Sequence, residues 1–111
     1  MKNITTALMC FSFTITIFAQ NDICTDAISV SCWDSVTGTT VGATSTGAPT
    51  ASCGTTSGAP GVWYEFTGTG QDITFSLCGS SYDTKIQVYT GDCSDLICVD
   101  GNDDSCSTQS E

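Results

Sequence analysis

The sequence predicts an all-β fold, a small antiparallel sandwich or jelly roll stabilised by disulfides. Three observations predict it. β-branched and aromatic residues recur in short runs that alternate apolar with polar side chains. Glycine-rich turns separate these runs, and all 11 glycines lie after residue 37. Cysteine is dense, with 8 in 111 residues. Short alternating runs between turn residues are the pattern of strands, and no stretch after residue 20 repeats its apolar residues at helical spacing. Several short strands at this spacing suggest a two-sheet architecture.

The chain opens with an address. Met1-Lys2-Asn3 carries one positive charge, Ile4 to Phe18 is uncharged and mostly apolar, and a small residue, Ala19, precedes the polar Gln20-Asn21-Asp22. This is the layout of a secretory signal peptide cleaved after Ala19. The apolar run of about 15 residues is shorter than the ~20 a membrane-crossing helix needs. Residues 1–19 are therefore expected to be removed and residues 20–111 to form the module, secreted or at the cell surface, with no transmembrane segment left. Removal leaves Lys85 as the only cation against 12 acidic residues.

Seven cysteines remain: Cys24, Cys32, Cys53, Cys78, Cys93, Cys98 and Cys106. In an exported chain they read as disulfide candidates. Zinc is disfavoured, because the chain has neither a C-x2-C knuckle nor a histidine. Seven is odd, so one cysteine stays free, pairs with another chain or pairs with residues outside this sequence. Spacing leaves the connectivity open; the local pairs Cys24–Cys32 and Cys93–Cys98 are one possibility. About 92 residues make a small core, so cross-links would offset what burial alone does not supply.

The strands follow in order. Ala27 to Ser31 and Ser35 to Thr44 are weak candidates, and Thr44 to Gly61, with both prolines, reads as a long loop. Val62 to Thr67 is the best strand, with Val62, Tyr64 and Phe66 on one face. Asp72 to Leu77 alternates, with Ile73, Phe75 and Leu77 inward, and is expected to pair with it as a hairpin across Gly68-Thr69-Gly70. Lys85 to Tyr89 alternates again, and Leu96 to Val99 is a shorter apolar run.

Composition excludes several chemistries. A chain with net charge -10 does not bind nucleic acid through its backbone phosphates, and anionic membranes repel it. Without histidine there is no imidazole base or ligand. Serines are plentiful but lack an obvious activating base, and a Glu65/Asp83 pair as glycosidase carboxylates is a signal any acidic β-protein offers. Trp33, Trp63 and Tyr64 are candidates for stacking on a sugar; strand aromatics are normally buried, which leaves Trp33, in a turn beside Cys32, as the better exposed contact.

The acids concentrate at Asp83, Asp92, Asp95, Asp100, Asp103 and Asp104. Hard cations such as Ca2+ take six to eight oxygen ligands, and Asp100-Gly101-Asn102-Asp103-Asp104 can turn several oxygens to one side. Asp and Asn also favour turns for their own sake, and the match to an EF-hand loop is poor.

In order along the chain stand Asn21-Asp22-x-Cys24-x-Asp26-Ala27, Ala59-Pro60-Gly61-Val62-Trp63-Tyr64-Glu65-Phe66-Thr67, Ser76-Leu77-Cys78-Gly79, Tyr82-Asp83-Thr84-Lys85-Ile86-x-Val88-Tyr89 and Gly101-Asn102-Asp103-Asp104. The ordered set resembles a β-sandwich accessory module of secreted Bacteroidota proteins, similar to CUB-like and bacterial pre-peptidase C-terminal domains. The resemblance covers about residues 21–111. It implies a jelly-roll-like, CUB-like sandwich in a large exported protein, with further domains in cis and, in some cases, type IX secretion. It also implies calcium held by Asp83, Asn102, Asp103 and Asp104. Trp33 departs from the pattern, which usually has glycine after that cysteine. Such modules continue past the Asn-Asp-Asp loop with further strands, so the chain is expected to be truncated at its C-terminus. The expected function is that of a non-catalytic accessory or adhesion module, calcium-binding, in contact with a surface, a glycan or a protein. The alternative is the N-terminal accessory region of a secreted hydrolase, a peptidase, with its catalytic domain beyond residue 111.

Overall fold

A computed structural model describes residues 19–56 and 60–111. The signal-peptide reading, apart from Ala19, lies outside the described residues. The described chain is all-β. A single 3-10 turn, Cys24–Asp26, precedes four strands: β1 (Ile28–Val30), β2 (Tyr64–Phe66), β3 (Ile86–Asp92) and β4 (Asp95–Asn102). They form two small sheets, β1-β2 and β3-β4.

The first sheet corrects the expectation of a purely antiparallel architecture. β1 and β2 run parallel, with Ile28 opposite Tyr64 and Val30 opposite Phe66. A parallel pair needs a long crossover, and the chain between residues 31 and 63 supplies it. The entry is held by Asn21, which is 5% exposed. Its carbonyl accepts from the Trp63 N–H at 2.7 Å, and its side-chain amide donates to the Trp63 carbonyl at 2.6 Å. The Ile28 N–H donates to the same carbonyl at 3.1 Å, which starts the ladder.

The predicted hairpin between Val62–Thr67 and Asp72–Leu77 does not form: β2 pairs with β1, and residues 72–77 join no sheet. The Leu77 N–H instead donates to the Ser110 carbonyl at 2.9 Å. The alternation of that run persists as burial: Ile73, Phe75 and Leu77 are half-buried, and Asp72, Thr74 and Ser76 are exposed. Phe75 meets Phe66 of β2 edge to face, with centroids 5.7 Å apart. Side chains thus hold the run against β2 where a ladder was expected. Ser35–Thr44 is not a strand either; a turn closes at Thr40–Ala43, and Val36 and Val41 are exposed. Residues 44–61 are a loop as expected, apart from an isolated bridge between Cys53 and Thr55 and the undescribed 57–59.

The second sheet is a hairpin longer than the predicted runs. The Asp92 carboxylate accepts from the Ser94 N–H at 2.8 Å and from the Ser94 hydroxyl, a local bond that shapes the two-residue turn. Val88 faces Asp100 and Tyr89 faces Cys98, so Val99 is the extra residue of a bulge.

Three disulfides cross this framework: Cys24–Cys93, Cys53–Cys98 and Cys78–Cys106. The local pairs Cys24–Cys32 and Cys93–Cys98 are thereby corrected, and Cys32, one of the disulfide candidates, is free and exposed. Cys32 sits in the outward Ser31–Asp34 turn, whereas Cys24 lies beside the hairpin turn that carries Cys93. The bridges interleave, joining first to fourth, second to fifth and third to sixth of the bonded cysteines. They staple β3-β4 at its turn, in β4 and just after its exit.

The apolar core is thin. Cys53, 1% exposed, is the only buried apolar side chain among the described residues; the other buried ones are the polar Asn21, Thr84 and Ser110. Thr84 and Ser110 satisfy each other: their hydroxyls lie 3.1 Å apart, and the Ser110 N–H donates to the Thr84 hydroxyl at 3.0 Å. Paired in this way, they avoid the cost of about 1–3 kcal/mol for an unsatisfied buried polar group.

Candidate functional site

The hairpin brings the two ends of the predicted acidic set together. Asp83 lies just ahead of β3 and Asp103-Asp104 just after β4, and antiparallel pairing of Ile86 with Asn102 sets them side by side. One carboxylate oxygen from each of Asp83, Asp103 and Asp104 lies within 4.8 Å of the others. Asp83 and Asp104 are exposed and Asp103 is half-buried.

Asn102 is differently engaged. Its side-chain oxygen accepts from the Glu111 N–H at 3.2 Å, tying the end of the described chain to β4. Asp92, Asp95 and Asp100 are in the hairpin away from this cluster. Asp92 has its carboxyl held below the usual carboxylate range by the hydrogen bonds from Ser94.

Lys85 sits on the cluster. Its ammonium is 2.8 Å from Asp103 Oδ2 and donates to the Thr56 hydroxyl at 3.1 Å. The bond to Asp103, together with the fields of Asp103, Asp83 and Asp104, raises the lysine above its ordinary pKa against a smaller opposing effect of desolvation. The stabilisation this shift gives to the Lys85 ammonium is lost as pH climbs through the raised lysine value. The pair is solvent-exposed and correspondingly screened.

The donor chemistry of the site is all oxygen, which suits a hard cation such as Ca2+ and not a thiophilic metal. Three carboxylates offer up to six oxygens, the lower end of the calcium range. Lys85 neutralises one of the three carboxylates, and its flexible stem lets the ammonium leave.

The aromatic candidates separate. Trp63 packs beside Tyr89, with ring centroids 6.1 Å apart and planes at 41°, and Tyr64 is half-buried in β2. Partial burial pushes the Tyr89 hydroxyl up, and it donates to Gln87 Oε1 at 3.2 Å. Trp33 is fully exposed, at 101%. An open cleft of about 310 Å3 runs beside Tyr89, floored by Leu96 and Cys98 and walled by Pro49 and Ser52. Sequence reading had not singled out Gln87. Its amide donates to the carbonyls of Cys53, at 3.4 Å, and Thr55, at 2.8 Å, and so fixes the loop that carries the buried Cys53. No pattern in the sequence distinguishes such a glutamine from a surface one.

No helix among the described residues is long and apolar enough to cross a membrane. Comparison with protein-family models, with curated proteins and with solved structures gives no match for the chain.

Proposed function

We propose that the chain is a non-catalytic accessory or adhesion module of an exported protein, built on a jelly-roll-like, CUB-like plan, that binds calcium and contacts a surface, a glycan or a protein. The observation that carries the reading is the convergence of Asp83, Asp103 and Asp104 from opposite ends of one hairpin. Three acids held that close repel one another unless a cation sits among them, and Lys85 offsets only part of that charge. Asn102 stands next to the cluster, and its backbone carbonyl is a further candidate ligand. Three disulfides fit an oxidising, extracellular setting. The lone lysine of residues 20–111 is engaged by Asp103, which leaves no cationic side chain to activate a nucleophile.

Thermal unfolding of the oxidised chain tests the cation. A ligand bound only to the native state stabilises it by about 2.7 kcal/mol at a hundredfold excess over Kd. Millimolar Ca2+ is therefore expected to raise Tm and chelator to lower it, and the Asp83→Asn, Asp103→Asn double variant is expected to lose the shift. An unchanged Tm across the titration overturns the calcium site.

A further inference from the structure

Two segments that lie outside both sheets hold each other. Residues 105–109 fold into a tight turn: the Ser105 and Cys106 N–H groups both donate to the Gln109 carbonyl, at 2.8 and 3.0 Å, and Ser107 takes a left-handed φ of 74°. The turn sends residues 108–111 back alongside residues 77–84. There the Leu77 N–H donates to the Ser110 carbonyl, the Thr84 N–H to the Thr108 carbonyl at 3.0 Å, the Ser110 N–H to the Thr84 hydroxyl, and the Gln109 amide to the Tyr82 carbonyl at 3.4 Å. Thr84 and Ser110 are two of the four buried side chains among the described residues. The Cys78–Cys106 bridge ties the two segments covalently.

The unit has clear bounds. Among the described residues, and apart from the adjoining Ser76, residues 77–84 hydrogen-bond only to residues 108–111. Residues 105–111 reach outside the unit only through the Glu111 N–H to Asn102. Just upstream, Phe75 packs on Phe66 of β2, and just downstream Ile86 starts the β3 ladder. The centre of the unit is polar. Its hydrogen bonds are each a small net gain, set against the entropy of ordering two segments. The Cys53–Cys98 bridge is placed differently. Cys53 is 1% exposed, its sulfur lies 3.4 Å from the Val88 carbonyl oxygen and 3.3 Å from that of Asp100, and the ladder and the Gln87 amide hold both ends of that bridge. Among the described residues Cys78 is exposed and Cys106 half-buried.

We propose that Cys78–Cys106 is a redox clasp: opening it frees residues 77–84 and 105–111 together, while both sheets stay formed. A dithiol reductant opens it. One thiolate of the reductant attacks the Cys78 sulfur, and Cys106 leaves as a thiolate and takes up a proton. The second thiol of the reductant then displaces Cys78, so the two cysteines end as thiols and the dithiol as a cyclic disulfide. Cys53 and Cys98, held by main chain that does not need the bridge, stay opposed and close again. Cys78 and Cys106, joined otherwise only by the polar contacts of the unit, part by local unfolding. The proposal goes beyond the contact-module reading and needs neither the cation nor a partner.

Hydrogen exchange read by mass spectrometry, on the full oxidised chain and on its Cys78→Ser, Cys106→Ser variant, tests it. In the variant, peptides covering 77–84 and 105–111 are expected to exchange at least about tenfold faster, and those of β3 and β4 to stay within about twofold of the parent. Titration of the parent with dithiothreitol, with alkylation of the freed thiols, is the second arm. Cys78 and Cys106 are expected to be labelled while Cys53 and Cys98 are still bonded. The two segments are expected to lose protection at that same step and to regain it on reoxidation. Unchanged exchange in the two segments overturns the proposal, as does faster exchange in only one of them or throughout the hairpin. Opening of Cys53–Cys98 at the same or a lower reductant concentration overturns it too.

Discussion

Trp33 occupies the third position of the Ser31–Asp34 turn with φ at 72°. The Asp34 N–H closes the turn onto the Ser31 carbonyl at 3.1 Å, and the Ser31 N–H donates to Asp34 Oδ2 at 2.8 Å. A left-handed backbone costs an L-residue roughly 1–2 kcal/mol that glycine avoids. The side chain recovers none of this by burial, since it is fully exposed. Trp33→Gly relieves the backbone but adds unfolded-state entropy worth about 0.4–1 kcal/mol. The net expectation is a gain of about 0.5–1 kcal/mol in denaturant unfolding. A loss of stability would mean that the indole makes a contact that outweighs the strain.

At the scale of elements, the hairpin depends on two glycines that face each other. A side chain on Gly101 would run into the Cys53 carbonyl, and one on Gly54, whose φ is 66°, into the Gly101 backbone. Both obstacles are main chain, and the Cys53–Cys98 bridge pins the loop in place, so neither can yield cheaply. Gly101→Ala is expected to destabilise by about 1–3 kcal/mol, as overpacking does, lowering the denaturant midpoint while Gly61→Ala, with open space around it, does not. Equal midpoints for the two variants would refute the close approach. This scale also marks the limit of legibility. The runs that became β2 and β3 were visible because each alternates over its own length, β4 only in part as the short apolar run Leu96–Val99, and the burial of Ile73, Phe75 and Leu77 followed the alternation rule. Pairing was not visible. Asn21 engages Trp63 across 42 residues, next to the parallel pairing of β2 with β1, and no local pattern announces either. The acids of the candidate site could be listed from composition, but only the register of Ile86 with Asn102 joins Asp83 to Asp103 and Asp104 and leaves Asp92, Asp95 and Asp100 outside.

For the molecule as a whole, the buried side chains set the balance. One cysteine and three polar residues are the buried groups among those described, so hydrophobic burial cannot carry a fold of this size alone. The bridges close separations of 69, 45 and 28 residues. In the chain-entropy account, loops of such lengths each destabilise the unfolded chain by about 4 kcal/mol. The three interleave, so closing one shortens the effective loop of the next, and their sum falls below three times that figure. Even so, the sum is comparable to the whole net stability of a small domain, about 5–15 kcal/mol. Reduction with excess phosphine is therefore expected to abolish cooperative unfolding at 25 °C, seen as loss of the near-UV circular dichroism from Trp63 and Tyr89. Replacing only Cys78 and Cys106 by alanine should be milder, leaving a cooperative transition at lower temperature, because it frees the exit of β4 while the turn and strand stay stapled. A reduced chain that kept its near-UV signal and a Tm within a few degrees of the oxidised one would show that packing, not cross-linking, holds the fold.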